Sequence, residues 1–178
     1  MNVAPHTPVA PADLLSAALG LGLSRDAAVL AAAHWCVETA GGASMYGDNP
    51  GNLTCGASPG AACGQNPLVT SPLVFAMYGS LAAGAAAYSA FLQSRGALGA
   101  LQSGDLGTFS AKLSAIGYAG AGVPASTYAS QIGAWQAKLA PMQVSPPVAS
   151  SSSSTTTAAV LLAAGVAGLA TSRALGLL

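Results

Sequence analysis

Charge is what this sequence has least of. Its 178 residues include five Lys and Arg, five Asp and Glu and two His. Charged residues therefore make up 6% of the chain, against about 25% in ordinary soluble domains. The formal net charge is zero and there is no basic run, which argues against a nucleic-acid partner held through phosphate contacts. Aromatics are also scarce, at 6%, so each is expected to carry a packing or binding role. The N-terminal "MNVAPHTPVAPADLL" has neither a basic segment nor an apolar run of signal-peptide length. A role outside the cytoplasm would then need another route of export. No His or Cys cluster has metal-ligand spacing, and no phosphate loop, Ser/His/Asp set or cofactor box is present, so no cofactor is expected.

What is present is alanine, glycine and a strong alternation of helix and turn signals. Hydrophobic residues reach 52%, much of it alanine. A surface so poor in charge suits a protein built into a larger assembly or held at a membrane, and a high-GC genome would give the same bias. Residues 11–22, "PADLLSAALGLG", read as a first helix with Leu14, Leu15, Ala18 and Leu21 on one face. Ser24 is a good N-cap and Asp26 a favourable first-turn residue for a second helix, which runs to about Ala40 and stops at Gly41-Gly42. Residues 43–73 carry turn signals in series, and so long an irregular stretch within a compact domain is usually functional. A short strand is expected near its end, within 72–78.

Ser80 caps a third helix carrying Leu81, Ala85, Tyr88, Phe91, Leu92 and Arg95 at helical spacing. A short helix is expected near 97–103, and another from Thr108 with Phe109, Leu113 and Ile116 inward. The last starts near Ser126, with Tyr128, Ile132, Trp135 and Leu139 as one stripe, and Pro141 ends it. The chain is thus divided into a mainly α domain over 1–141, a Ser/Thr-rich linker over 142–157 and a hydrophobic helix over 158–178. As a helix the last segment would be about 31 Å long at about 1.5 Å per residue, enough to cross a bilayer core with Arg173 snorkelling to one interface. A C-terminal membrane anchor is the favoured reading, and a helix buried in a multi-subunit assembly the other.

Of the three cysteines, Cys36 is expected to be a small buried apolar residue. Cys55 and Cys63 flank "GASPGAA" and are either disulfide-bonded or two free thiols. A bond there would add a little under about 3 kcal/mol in the loop-entropy account.

Glu38 is the only glutamate in the chain. It ends an alanine-rich helix, with His34 and Trp35 one turn earlier and Ala31 and Cys36 adding apolar surroundings. Burial disfavours the charged form of a carboxyl, and a neutral carboxylic acid is what protonation of a glycosidic oxygen requires. The polar loop that follows offers a groove wall. A lone Glu at a helix end is also, more often, an ordinary surface residue.

The segment "AAAHWCVETAGG…NPGNLTCG" resembles the surroundings of the catalytic glutamate in lysozyme-like muralytic enzymes. Downstream, "FAMYGSLAAGAAAYSAFL" and "IGYAGAGVPASTYASQIGAW" are similar to the bacterial N-acetylglucosaminidase family that includes the flagellar rod-associated peptidoglycan hydrolase domain. The resemblance covers about 14–139 and rests on the order and spacing of short, degenerate motifs. It implies a lysozyme-like helical domain that cuts peptidoglycan glycan strands, with Glu38 as general acid. By the same resemblance Tyr118 would line the cleft near the scissile bond, while Asn52 and Thr54 would floor the groove. Tyr128 would pack or stack on sugar, and Tyr46 is a candidate for stacking on a sugar ring.

Family members often carry a second carboxylate, and here the loop holds only Asp48. Asp48 either activates a water, which needs carboxyls about 6.5–9.5 Å apart, or shapes a turn. Without it the substrate's own N-acetyl group would supply the nucleophile. His34 is read as a helix-packing residue or an assisting base, and Trp35 and Trp135 as core or as sugar platforms. The expected activity is that of an endo-N-acetylglucosaminidase, with a muramidase or a lytic transglycosylase as the alternative chemistry. A non-catalytic virion or envelope protein that binds glycan is the alternative class. The absent signal, hydrophobic tail and low charge point to the cell envelope or to a bacteriophage virion, with virion proteins and a membrane as further expected partners.

Overall fold

In the computed structural model the residues described are 3–65, 67, 74–118 and 123–147. The expected hydrophobic helix 158–178 and most of the expected linker lie outside them. Six α-helices and one two-stranded sheet make up this part of the chain, and none of its helices is long and apolar enough to cross a membrane.

Helix α1 (Pro11–Gly20) opens on a proline at its first turn, and the Asp13 carboxylate accepts a hydrogen bond from the Ala10 N–H at 3.0 Å. Helix α2 (Arg25–Glu38) is capped by Ser24, whose hydroxyl accepts from Ala27 N–H at 3.3 Å. Every residue from Ala27 to Cys36 is buried, so α2 is the axis of the fold rather than a surface helix with one apolar stripe. Its run of alanines lets α1 and α6 (Ala125–Leu139) approach it from two sides. Helix α3 (Leu81–Ser94) has the expected Ser80 cap. The short α4 (Leu98–Gln102) leads into α5 (Leu106–Ala115). Helix α5 starts two residues before the expected Thr108, because the Asp105 carboxylate accepts from Thr108 N–H at 2.7 Å and acts as the cap.

The core gathers Leu14, Leu15, Leu30, Trp35, Tyr88, Leu92, Phe109 and Ile132 around α2. Gly41 and Gly42 take φ of +72° and +89°, a region closed to most side chains. Gly41 also lies under Trp135, where a Cβ would stand 2.6 Å from the ring. The double glycine thus turns the chain out of α2 while passing beneath another helix.

The long loop is more ordered than its composition suggests. Strand β1 (Ala62–Gln65), read from sequence as irregular, pairs antiparallel with β2 (Val74–Met77), and Cys63 lies opposite Ala76. Cys55 and Cys63 are disulfide-bonded. Asn49 is the organiser: its side-chain amide donates to the Leu53 and Ala76 carbonyls, and its carbonyl accepts from Leu53 N–H, all at 2.9 Å. Residues 142–147, expected as the start of the linker, run back along the helices. The Arg25 guanidinium donates to the Met142 carbonyl and Ser16 Oγ donates to the Ser145 carbonyl.

Candidate functional site

Glu38 sits on the last turn of α2 with its side chain 18% exposed. It is neither loose in solvent nor sealed in the core, so a ligand could reach it. One turn earlier, His34 is fully buried, because the rings of Tyr88, Phe109 and Tyr128 close around it. The i, i+4 relation brings His34 Nε2 to 3.6 Å from Glu38 Oε1.

Three tyrosines from distant parts of the chain close around this pair. Tyr128, on the first turns of α6, donates its hydroxyl proton to Glu38 Oε1, and its oxygen lies 2.6 Å from His34 Nε2. Tyr88, fully buried on α3, places its hydroxyl 2.7 Å from His34 Nδ1. Tyr118, just beyond α5, stacks edge-on against His34 with ring centroids 4.9 Å apart and donates to the Gly51 carbonyl. Phe109 contributes a further edge contact to the imidazole at 5.7 Å.

Burial, and after it the charge of Glu38, raises the pKa of all three phenols above the ordinary value of 10.0. They are therefore protonated donors at neutral pH. Cys36 is buried and its thiol is pushed up to about 12, chiefly by desolvation, which makes it an inert packing residue.

The loop enters the site through Gly51. Its carbonyl receives the Tyr118 hydroxyl, and a Cβ there would collide with the Tyr88 ring. The "NPGN" turn thus abuts the tyrosine cluster through backbone, while the Asn49 side chain is engaged with Leu53 and Ala76.

The expected site residues fall into two groups. Glu38, Tyr118 and Tyr128 come together. Asp48, Asn52, Thr54 and Tyr46 belong to the loop and make no hydrogen bond or ion pair to Glu38 among the described residues. Asp48 has a φ of +52° and donates its backbone N–H to Thr7 Oγ1 at 2.9 Å, the geometry of a turn-forming aspartate. Asn52 shares that left-handed backbone, at φ +52°. Thr54 forms a single β-bridge with Phe75. Tyr46 is half-buried beside His6, with ring centroids 4.8 Å apart. Trp35 is a core residue, fully buried against Tyr88. Trp135 is half-buried, with the Lys138 ammonium 4.4 Å from its ring centroid.

Sequence reasoning did not give Tyr88 a place here, and gave His34 only a packing or assisting role. Helical spacing alone would have aligned His34 with Glu38. The contribution of Tyr88, 54 residues away, leaves no local signal. The assembled site is a partly exposed carboxyl backed by protonated phenols, one donating to Glu38 Oε1 and one facing the imidazole behind it. No known protein family, curated protein or solved structure matches the chain.

Proposed function

We propose that this chain cleaves the glycan strand of peptidoglycan, with Glu38 as general acid in a lysozyme-like helical domain. One observation carries the reading. The single glutamate of the chain ends the central helix with one carboxyl oxygen held by Tyr128 and its side chain still 18% exposed. A general acid must come within hydrogen-bond reach of the atom it protonates, and this exposure leaves Glu38 accessible to a substrate.

In this reaction the Glu38 proton passes to the glycosidic oxygen. The C1–O bond breaks, and its electron pair stays with the leaving hydroxyl. The positive charge that develops at C1 is met by the carbonyl oxygen of the sugar's own 2-acetamido group. Water then opens the cyclic intermediate at C1 and returns a proton to the Glu38 carboxylate. Each cycle consumes one water and restores the acid. Substrate assistance is the route written here; Asp48, whose backbone turns at φ +52° and donates its N–H to Thr7, would be the base that activates water in the alternative. Tyr118 would border the sugar at the scissile bond, and Tyr46, Asn52 and Thr54 would contact glycan farther along the loop.

Glu38→Gln keeps the shape and loses the transferable proton. It should abolish clearing of purified cell wall in a zymogram while the melting temperature stays near that of the parent. Undiminished clearing by that variant ends the proposal and leaves a glycan-binding or structural envelope or virion protein. Mass analysis of the released fragments assigns the bond. A reducing N-acetylglucosamine end marks the glucosaminidase proposed here, a reducing N-acetylmuramic acid end a muramidase, and an anhydro end a lytic transglycosylase.

A further inference from the structure

His34 is a fully buried imidazole with a phenol on each ring nitrogen, at 2.6 Å and 2.7 Å. The direction of these bonds follows from counting protons. A phenol carries one. Tyr128 directs its proton to Glu38 Oε1, so toward His34 its oxygen can only accept. His34 Nε2 must then carry the ring proton. Nδ1 is left bare and accepts from the Tyr88 hydroxyl, whose phenol stays protonated in this buried setting.

All the bonds point the same way: Tyr88 O–H to Nδ1, Nε2–H to the Tyr128 oxygen, Tyr128 O–H to Glu38 Oε1. A unidirectional chain of this kind polarises each member toward its end, and its end is the carboxyl of Glu38. Glu38 Oε1 is thereby occupied as an acceptor, while Oε2 has no hydrogen-bond partner among the described residues.

We propose that His34 and Tyr128 are positioning residues for Glu38. Through its Nε2–H, His34 aims the Tyr128 hydroxyl, which pins Oε1 and confines the transferable proton to Oε2, facing the glycosidic oxygen. Tyr128 sets the tautomer, and Tyr88 donates to the ring nitrogen that this leaves bare. This inference rests on the reading of Glu38 as general acid. The cost of losing such a chain is misplacement of the acid relative to the scissile bond, and small misplacements of a catalytic group cost on the order of 100-fold in rate.

The test has one readout that depends on activity and one that does not. On soluble glycan-strand fragments, Tyr128→Phe retains the ring and loses the hydroxyl. Its kcat should fall by about 100-fold, with KM unchanged and the near-ultraviolet circular dichroism of the parent. His34→Gln should act in the same pathway, so the double variant should fall no further than the worse single variant. Independently, ¹⁵N-edited NMR of the full chain carrying His6→Gln, which leaves His34 as the one imidazole, should show the proton on Nε2. Tyr128→Phe, which removes the acceptor facing Nε2, should erase that preference.

An Nδ1–H signal overturns the chain whatever the activity, and so does a Tyr128→Phe protein with wild-type kcat. If the wild-type protein leaves the strands uncut, the hydrolase reading falls and the positioning role falls with it. The NMR result then shows separately whether the hydrogen-bond chain itself was read correctly.

Discussion

Gly51 shows how one residue can tie the loop to the tyrosine cluster. A Cβ at this position collides with the Tyr88 ring, which is itself locked by the His34 hydrogen bond, and the Gly51 carbonyl takes the Tyr118 hydroxyl. Gly51→Ala must therefore push either the loop or the ring. Overpacking of this kind costs about 1–3 kcal/mol, to be read as a lower urea midpoint with an unchanged slope. Because the displaced ring is hydrogen-bonded to His34 behind Glu38, the wall-degrading activity proposed for this chain should fall further than the stability change alone would produce. A Gly51→Ala protein that is destabilised yet fully active would separate the loop from the site. Asn49 works at the same scale: three hydrogen bonds from one buried side chain shape the turn that delivers Gly51.

The element that matters most is α2. Helices usually show one apolar stripe, whereas α2 is buried on all sides from Ala27 to Cys36. Small side chains are the condition for this. They let neighbouring backbones come close, and they leave the imidazole of His34 as the one bulky polar group enclosed with Trp35. Ala32→Leu should accordingly destabilise by about 1–3 kcal/mol, although leucine and alanine are both good helix formers. Thermal unfolding checks this, and an unchanged melting temperature would mean that the α2 packing has slack it does not show. The positions of the helices were legible in sequence because their signals are local. Ser24 and Ser80 cap where expected, and leucine and aromatic spacing marks the inward faces. Strand β1 was not legible: "ACGQ" carries no alternation, and it is a strand only because β2 lies beside it.

At the scale of the whole molecule, scarcity of charge shifts stability onto packing, the disulfide and buried hydrogen bonds. The Cys55–Cys63 bond closes a loop with a separation of eight residues. In the chain-entropy account its reduction costs about 2.5 kcal/mol, which appears as a lower melting temperature in dithiothreitol. A melting curve indifferent to reductant would show that the loop is held by Asn49 and the sheet alone. Alkaline pH acts through the protons of the interior. The Cys36 thiol is raised from 9.0 to about 12, mainly by desolvation, and Tyr88, Tyr118 and Tyr128 are raised as well. Above about pH 9 the unfolded chain releases protons that the folded chain keeps, so stability falls as pH rises. Cys36→Ala should flatten the part of that fall between about pH 9 and pH 12. Native Cys36 should also resist thiol reagents until the protein is unfolded.

By itself the sequence determined the mainly helical class, the caps, the inert thiol and the choice of Glu38 as the residue to examine. All of these follow from residue type and spacing within a few turns of chain. Only the tertiary structure decided which residues stand beside Glu38. Tyr128 lies 94 residues beyond His34, and Tyr88 lies 54 residues beyond it, and no periodicity connects positions so far apart. They meet because α6 packs on the all-buried α2 and Tyr88 reaches from α3 to His34 and Trp35. There a phenol without a hydrogen-bond partner bears the cost of its desolvation, and the imidazole of His34 offers a partner on each side.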